Sequence, residues 1–230
     1  YFGLCGGCSL QHMATEKQID MKQTVLLDLL DRTSHLKPDH ILLPITDQTY
    51  GYRNKARLGV RYVNKKQRVL VGFREKHSAF LADMQRCEVL DPRVGHQLDK
   101  LIDCISSLEA YNQIAQIEVA TTAEVVALVF RHLTELSEAD QQKLIALGAD
   151  FTCHIYLQSG GPETITLLYP QESTLSYAIP EFNIDIEFSP SDFTQINAGI
   201  NEKMISQAIQ LLELDSHDKV LDLFCGVGNF

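Results

Sequence analysis

Apolar and polar positions alternate along the chain with periods that change several times, and each change marks an element. Ile19, Leu26, Leu29 and Leu30 recur at helical spacing, and Thr15 with Gln18 three residues on has the form of a capping box. The spacing predicts a helix ending near Arg32-Thr33, before Pro38. Pro44 and the polar run Thr46-Asp47-Gln48-Thr49 mark a boundary. Residues 50–62 then read as a strand, 64–67 as a turn and 69–74 as a returning strand, which makes a two-stranded ribbon. Asp91-Pro92 predicts a helix start with Asp as cap and Pro at the first helical position, and Leu98, Leu101, Ile102, Ile105 and Leu108 form its apolar stripe. Runs 114–120 and 124–130 flank Thr121-Thr122-Ala123 as a hairpin. Ser137 to Asp140 caps a further helix, expected to end at Gly148, and 152–157 with 164–169 form a second hairpin around Gly160-Gly161.

The pattern changes after Pro180. Ile184, Ile186 and Phe188 alternate, Pro190-Ser191-Asp192 interrupts, and a helix to about Leu214 carries Met204, Ile205, Ala208, Leu211 and Leu212. Val220 to Leu223 then predicts a buried strand running into Gly226-Val227-Gly228. Such turns sit at the carboxyl ends of parallel strands in doubly wound sheets, where ligands bind. Without a third glycine the turn alone indicates only a nucleoside pocket. The fold class is therefore read as α+β in the middle, rich in antiparallel pairs, followed by the opening of an α/β unit.

Composition narrows the class. The chain has 230 residues, 45% apolar and 22% charged, as in an ordinary soluble protein of one large domain or two smaller ones. No apolar run approaches the ~18 residues of a bilayer span, and no basic leader opens the sequence. A cytoplasmic, monomeric protein without membrane contact is expected. The net charge of −10 at first argues against nucleic acid, but residues 53–76 hold nine Lys and Arg against the single acid Glu75. Arg53, Lys55, Arg57 and Arg61 share one parity, so they would leave one face of a strand together. A solvated face is one explanation. Four cations with no opposing acid favour RNA or DNA contact.

Six cysteines are too few for a secreted disulfide scaffold. Cys5-Gly6-Gly7-Cys8 places two thiols within reach of one centre, and the glycines permit a tight turn between them. With the distant Cys87 this predicts a closed loop on a metal. Spacing alone leaves a zinc site that uses His12, an iron–sulfur cluster and a dithiol redox pair all open. Cys104 and Cys153 fit as small core residues.

The wording of four stretches goes further. Asp222-Leu223-Phe224-Cys225-Gly226-Val227-Gly228-Asn229-Phe230 resembles motif I of S-adenosylmethionine-dependent methyltransferases, in the form used by RNA uracil-C5 methyltransferases. Phe193-Thr194-Gln195-Ile196-Asn197 resembles the Phe-x-Gln-x-Asn motif of that family. The cysteine pair with Gln11-His12 and Cys87, and Tyr52-Arg53-Asn54-Lys55-Ala56-Arg57-Leu58, are similar to its iron–sulfur branch.

That resemblance implies a methyl donor touched by Gln195, Asp222, Phe224, Gly226, Gly228 and Asn229, and a 4Fe-4S cluster held by Cys5, Cys8 and Cys87. It implies 23S ribosomal RNA as partner, contacted by Arg53, Lys55, Arg57 and Arg61. Residues 1–10 and 45–190 would form the central iron–sulfur and RNA-contacting domain. Residues 11–44 would be a helical segment packed on the methyltransferase domain, whose Rossmann-like start is 191–230. Both ends read as cut. The fourth cluster cysteine, a small β-barrel, the cysteine nucleophile and the glutamate base are expected outside the chain, so no catalytic residue is assigned within it. Cys225, despite its place in the donor loop, reads as a small residue in a tight turn. A non-catalytic RNA-binding module with a metal knot is the alternative.

Overall fold

A computed structural model describes residues 1–230. Its centre is a six-stranded sheet in the order β2-β1-β3-β4-β5-β6. β1 (Lys55–Val63) and β2 (Arg68–Gly72) form the ribbon, and β3 (Ile114–Thr121) and β4 (Val126–His132) form the first hairpin. β5 (His154–Gln158) runs parallel to β4, and β6 (Ile165–Tyr169) returns antiparallel. The β4–β5 connection is the only parallel pair, and it is bridged by α4 (Glu138–Phe151), as a parallel crossover requires.

Helices cover one face of the sheet. α3 (Leu98–Ser107) lies against β2, and α4 against β5 and β6. Ala56, Leu58 and Val60 point from β1 into that layer and meet Leu98, Leu101, Ile105, Phe130 and Leu144 in the main core. The strand's period of two thus sends its even positions inward and its cations to the opposite face. Asp140 in α4 is fully buried and accepts backbone N–H groups of Glu109 at 2.7 Å and Ala110 at 2.9 Å, which ties α4 to the end of α3.

The opposite face carries a smaller layer. β7 (Ser176–Ile179) and β8 (Ile184–Glu187) pair as a separate ribbon, and Leu175 and Phe188 beside it pack on Ala120, Ala127, Val129 and Tyr156. α5 (Ala198–Leu212) closes on this ribbon through Ile205, which meets Ile179 and Ile186.

Several expectations need correction. The capping box does not form: α1 (Thr15–Ser34) starts one residue earlier, Ala14 is its cap, and Gln18 donates instead to the Met13 carbonyl at 3.0 Å. The stripe of α1 is present, but no residue of that helix is buried. The Asp91-capped helix is two pieces, a turn α2 (Pro92–Gly95) and then α3. α4 continues past Gly148 to Phe151, where Thr152 stops it in a left-handed conformation. The Rossmann-like start is represented by α5 and a loop alone. Residues 220–223 form no strand, and Leu221 and Leu223 stay exposed. A parallel strand takes its hydrogen bonds from neighbours, and no strand lies beside this run. β7 was not foreseen, because its four residues show too little alternation. No helix is long and apolar enough to cross a membrane.

Candidate functional site

Two regions carry the residues singled out by the sequence. The first is a cavity of about 330 Å³ lined by Cys5, Cys8 and Cys87 together with Tyr52, Arg53 and Phe73. The amino-terminal loop reaches it by pairing with the segment after β2. Gly6 N–H donates to the Arg74 carbonyl, and Lys76 N–H donates to the Leu4 carbonyl, both at 2.8 Å. Cys87 is buried, and its N–H donates to the Gly95 carbonyl at 2.7 Å. The remote thiol and the neighbouring pair therefore converge on one space.

The glycines of the pair act differently from expectation. Neither Gly6 nor Gly7 takes a positive φ. A Cβ on Gly6 would meet the carbonyl oxygens of Arg74 and Glu75 at 3.2 and 3.3 Å, so close backbone approach is what selects glycine there. Gly7 N–H points at Cys5 Sγ at 3.4 Å, a donor aimed at a sulfur. Burial pushes the Cys8 thiol up, and the neighbouring Cys87 and Cys5 push it further, against Arg53. Burial also raises Tyr52, with Cys8 next in effect.

The donor set can be tested against a metal. No three His, Cys, Asp or Glu side chains come together closely enough to hold a single ion. His12 is exposed with its ring against Phe2, centroids 4.9 Å apart, and does not line the cavity. That disfavours zinc on Cys5, Cys8 and His12. The three thiols share the lining of one cavity.

The four same-parity cations do not act as one surface. Arg53 lies outside β1, its Nε donates to the Lys55 carbonyl at 3.0 Å, and its guanidinium stands 5.9 Å from the Phe73 ring centre. Lys55 is covered: its ammonium donates to the Asp192 carbonyl and lies 5.6 Å from the Phe188 ring centre. Burial lowers the Lys55 pKa. Arg57 is exposed but paired with Glu118, directly opposite on β3, at 2.9 Å. Lys66 and Arg68 share Asp83. The absence of opposing acids held only within residues 53–76, because the partners arrive from elsewhere in the chain. Arg61, Lys65, Arg74 and Lys76 are exposed without an acidic partner.

The second region is the glycine turn. Gly226 and Gly228 have φ of 61° and 81°, which favours glycine, and the space where their Cβ atoms would stand is open. Asp222 is exposed, and Phe224 is fully exposed with φ of 63°. Gln195 is half-buried just before α5, whose first turn is capped by Asn197 accepting from Ile200 N–H at 3.0 Å. Asn229 is turned inward. Its Oδ1 accepts from Tyr177 at 2.9 Å and from Asn201 at 2.8 Å, and its Nδ2 donates back to Asn201 at 2.9 Å. Cys225 is exposed, whereas burial raises Cys104 to about 11 and Cys153 to about 12, as expected of inert core thiols. Sequence reading missed Tyr177, Asn201 and Gly95. Asn201 left one signal, a polar residue four before Ile205 on the buried side of α5.

Comparison with known proteins adds the following. The family model described as tRNA (Uracil-5-)-methyltransferase matches residues 14–230. The chain is 46% identical over 233 residues to the 23S rRNA (uracil(1939)-C(5))-methyltransferase RlmD of Legionella pneumophila, covering all of this chain and 52% of the relative. It is 48% identical to the proteins of that name from Francisella tularensis and Nitrosococcus oceani, with the same coverage. The chain thus spans about half the length of these relatives. A solved structure of Pyrococcus abyssi tRNA (uracil-54, C5)-methyltransferase in complex with S-adenosyl-L-homocysteine superposes with a TM-score of 0.64 over 98% of this chain and 54% of that one. At 17% identity that likeness concerns the fold alone.

Proposed function

The chain belongs to the tRNA (uracil-5-)-methyltransferase family, and from that premise we propose that its protein methylates carbon 5 of a uridine in 23S ribosomal RNA, using S-adenosylmethionine. The identity of 46–48% to proteins named for that reaction carries the reading. The turn at Gly226 and Gly228, with open space over both, is where the donor would approach the backbone, flanked by Gln195, Asp222, Phe224 and Asn229.

Carbon 5 of uracil is a poor nucleophile. A thiolate added to carbon 6 makes an enolate that attacks the donor's methyl group, and a base then removes the carbon-5 proton so that elimination frees the enzyme. We place that thiolate and base outside these 230 residues: Cys104 is half-buried and Cys153 buried, both with thiols pushed up by burial, and Cys225 belongs to the donor turn. The target base must leave its stack to be reached, and exposed cations hold the backbone meanwhile. Of the cations named from sequence, Arg61 is best placed for this, with Arg57 next, while Arg53 and Lys55 serve the fold.

Cys5, Cys8 and Cys87 would hold a 4Fe-4S cluster, with Gly7 N–H directed at one of its sulfur ligands. The cluster is structural in this reading, since methyl transfer of this kind moves no electrons. Residues 1–10 and 45–190 then form the cluster-bearing body. The bare face of α1 in 11–44 packs on the methyltransferase domain that 191–230 begins. The protein works as a cytoplasmic monomer.

The test has two parts, both on the intact protein. Anaerobic preparations should absorb near ~400 nm and contain iron and sulfide, and Cys87→Ser should lose all three. Labelled donor should transfer methyl to carbon 5 of uridine in 23S RNA. Transfer to no RNA uracil would sink the proposed activity, and a colourless protein without iron would sink the cluster alone.

A further inference from the structure

The side-chain oxygen of Asn229 is committed before any donor arrives. Both lone pairs of its Oδ1 are taken, by the Tyr177 hydroxyl at 2.9 Å and Asn201 Nδ2 at 2.8 Å. Its Nδ2 returns a bond to Asn201 Oδ1 at 2.9 Å. Asn201 itself is 4% exposed, so each of these groups would be costly to leave without a partner. Two residues earlier Val227 packs with Ile179, Ile186, Ile205 and Ile209. The turn is held by a polar anchor and an apolar one with only Gly228 between them. The preceding run, Leu221 to Phe224, is by contrast exposed.

We propose that Asn201 on α5 and Tyr177 on β7 are positioning residues for the methyl donor, which lock the glycine turn through Asn229, and that Asn229 meets the donor through its backbone rather than its side-chain oxygen. This rests on the reading that the turn binds S-adenosylmethionine. For the side-chain oxygen to turn to a ligand it would have to break its bonds from Tyr177 and Asn201 and leave the buried Asn201 amide without its reciprocal partner. Held as it is, it fixes the peptide groups of residues 228 and 229 at the edge of the open space over the glycines. Misplacement of a binding loop by about 1 Å is enough to lose ~10²-fold in rate, so a preorganised turn matters. Tyr177 stays a hydrogen-bond donor at neutral pH, because burial raises its pKa further above the ordinary phenol value.

The probe is S-adenosylhomocysteine, titrated calorimetrically into the intact protein. Asn201→Ala should weaken binding about 10- to 100-fold, because it leaves the Asn229 amide without its reciprocal partner. Tyr177→Phe keeps its ring in the apolar cluster and should weaken binding about 3- to 10-fold. Asn229→Ala should match Asn201→Ala, and the double variant should be no worse than the worse single one, since both break one unit. A mainly structural effect would move the melting temperature and RNA affinity along with donor affinity; these should stay constant in Tyr177→Phe. Wild-type affinity in Asn201→Ala would overturn the proposal. So would additive losses in the double variant, which would mean that Asn201 and Asn229 do not act on the turn as one unit. If Asn201→Ala does not fold, unchanged binding by Tyr177→Phe overturns it. A wild-type protein that binds no S-adenosylhomocysteine overturns the donor reading on which the proposal stands.

Discussion

Replacing Gly95 with alanine puts a methyl group into the wall behind the cysteine cavity. The added carbon would stand 2.4 Å from the Cys87 carbonyl oxygen, 2.9 Å from the Leu90 carbonyl oxygen and 3.1 Å from Leu90 Cβ. Two of these three are backbone atoms, so no side chain can swing aside. Restoring an ordinary contact of 3.4 Å requires the Cys87 oxygen to retreat by about 1 Å. It cannot do so without pulling on the bond from Cys87 N–H to the Gly95 carbonyl at 2.7 Å. Overpacking of this kind costs about 1–3 kcal/mol, and the better helix propensity of alanine returns at most ~1 kcal/mol. The net expectation is a loss of about 1–2 kcal/mol. In a protein of this size each kcal/mol lowers the melting temperature by about 2–4 °C. Thermal unfolding measures the first effect. The second is local: Cys87, 8% exposed in the native chain, should react faster with a thiol reagent when the protein is free of metal. A variant as stable as the wild type, with Cys87 equally protected, would refute the argument that Gly95 shapes the setting of Cys87.

Arg61→Ala should weaken RNA binding and reduce its salt slope by about 0.7–0.9, while Lys55→Ala, whose ammonium is already engaged by Asp192, should leave the slope unchanged; equal slopes for the two across several salt concentrations would count against this division. His154 has its pKa lowered from 6.5 by burial, and its Nδ1 stands 2.5 Å from Ser173, which accepts from Tyr156 at 2.6 Å. As pH falls below 6.5 the unfolded chain takes the proton before the native one, so stability should be full above that pH and decline beneath it, and a melting-temperature profile just as steep in His154→Gln would contradict this.

Most elements could be read from the sequence because their cause is local. The ribbon, both hairpins, α3 and α5 follow from apolar periods that the structure keeps. Elements whose cause is distant were misread. The run 220–223 has the composition of a buried strand, yet a strand exists only beside another. β7 is four residues long and is fixed by pairing with β8, not by its own pattern. That Cys5, Cys8 and Cys87 would share one space was legible from residue type and spacing, and the three do line one cavity. The wall behind Cys87 was not legible, since nothing marks Gly95 until Leu90 and Cys87 are folded against it.

The charge distribution shows the same division between local and distant causes, with a functional consequence. Parity grouped Arg53, Lys55, Arg57 and Arg61, and parity does describe which way a strand's side chains leave the sheet. It says nothing of what comes to meet them. Glu118 arrives on β3, Asp192 from the segment before α5 and Asp83 from the loop after β2. What remains exposed without an acidic partner is Arg61 and Lys65 at the far end of the ribbon and Arg74 and Lys76 beside the cysteine loop. Arg74 and Lys76 line an open groove whose other wall is Gly6 and Gly7. The backbone bonds from Gly6 to Arg74 and from Lys76 to Leu4 tie the cysteine loop to this basic segment. Whatever fixes Cys5 and Cys8 therefore also bears on where these two cations stand, so under the proposed function a cluster held there, without transferring electrons, would govern how an RNA backbone is held.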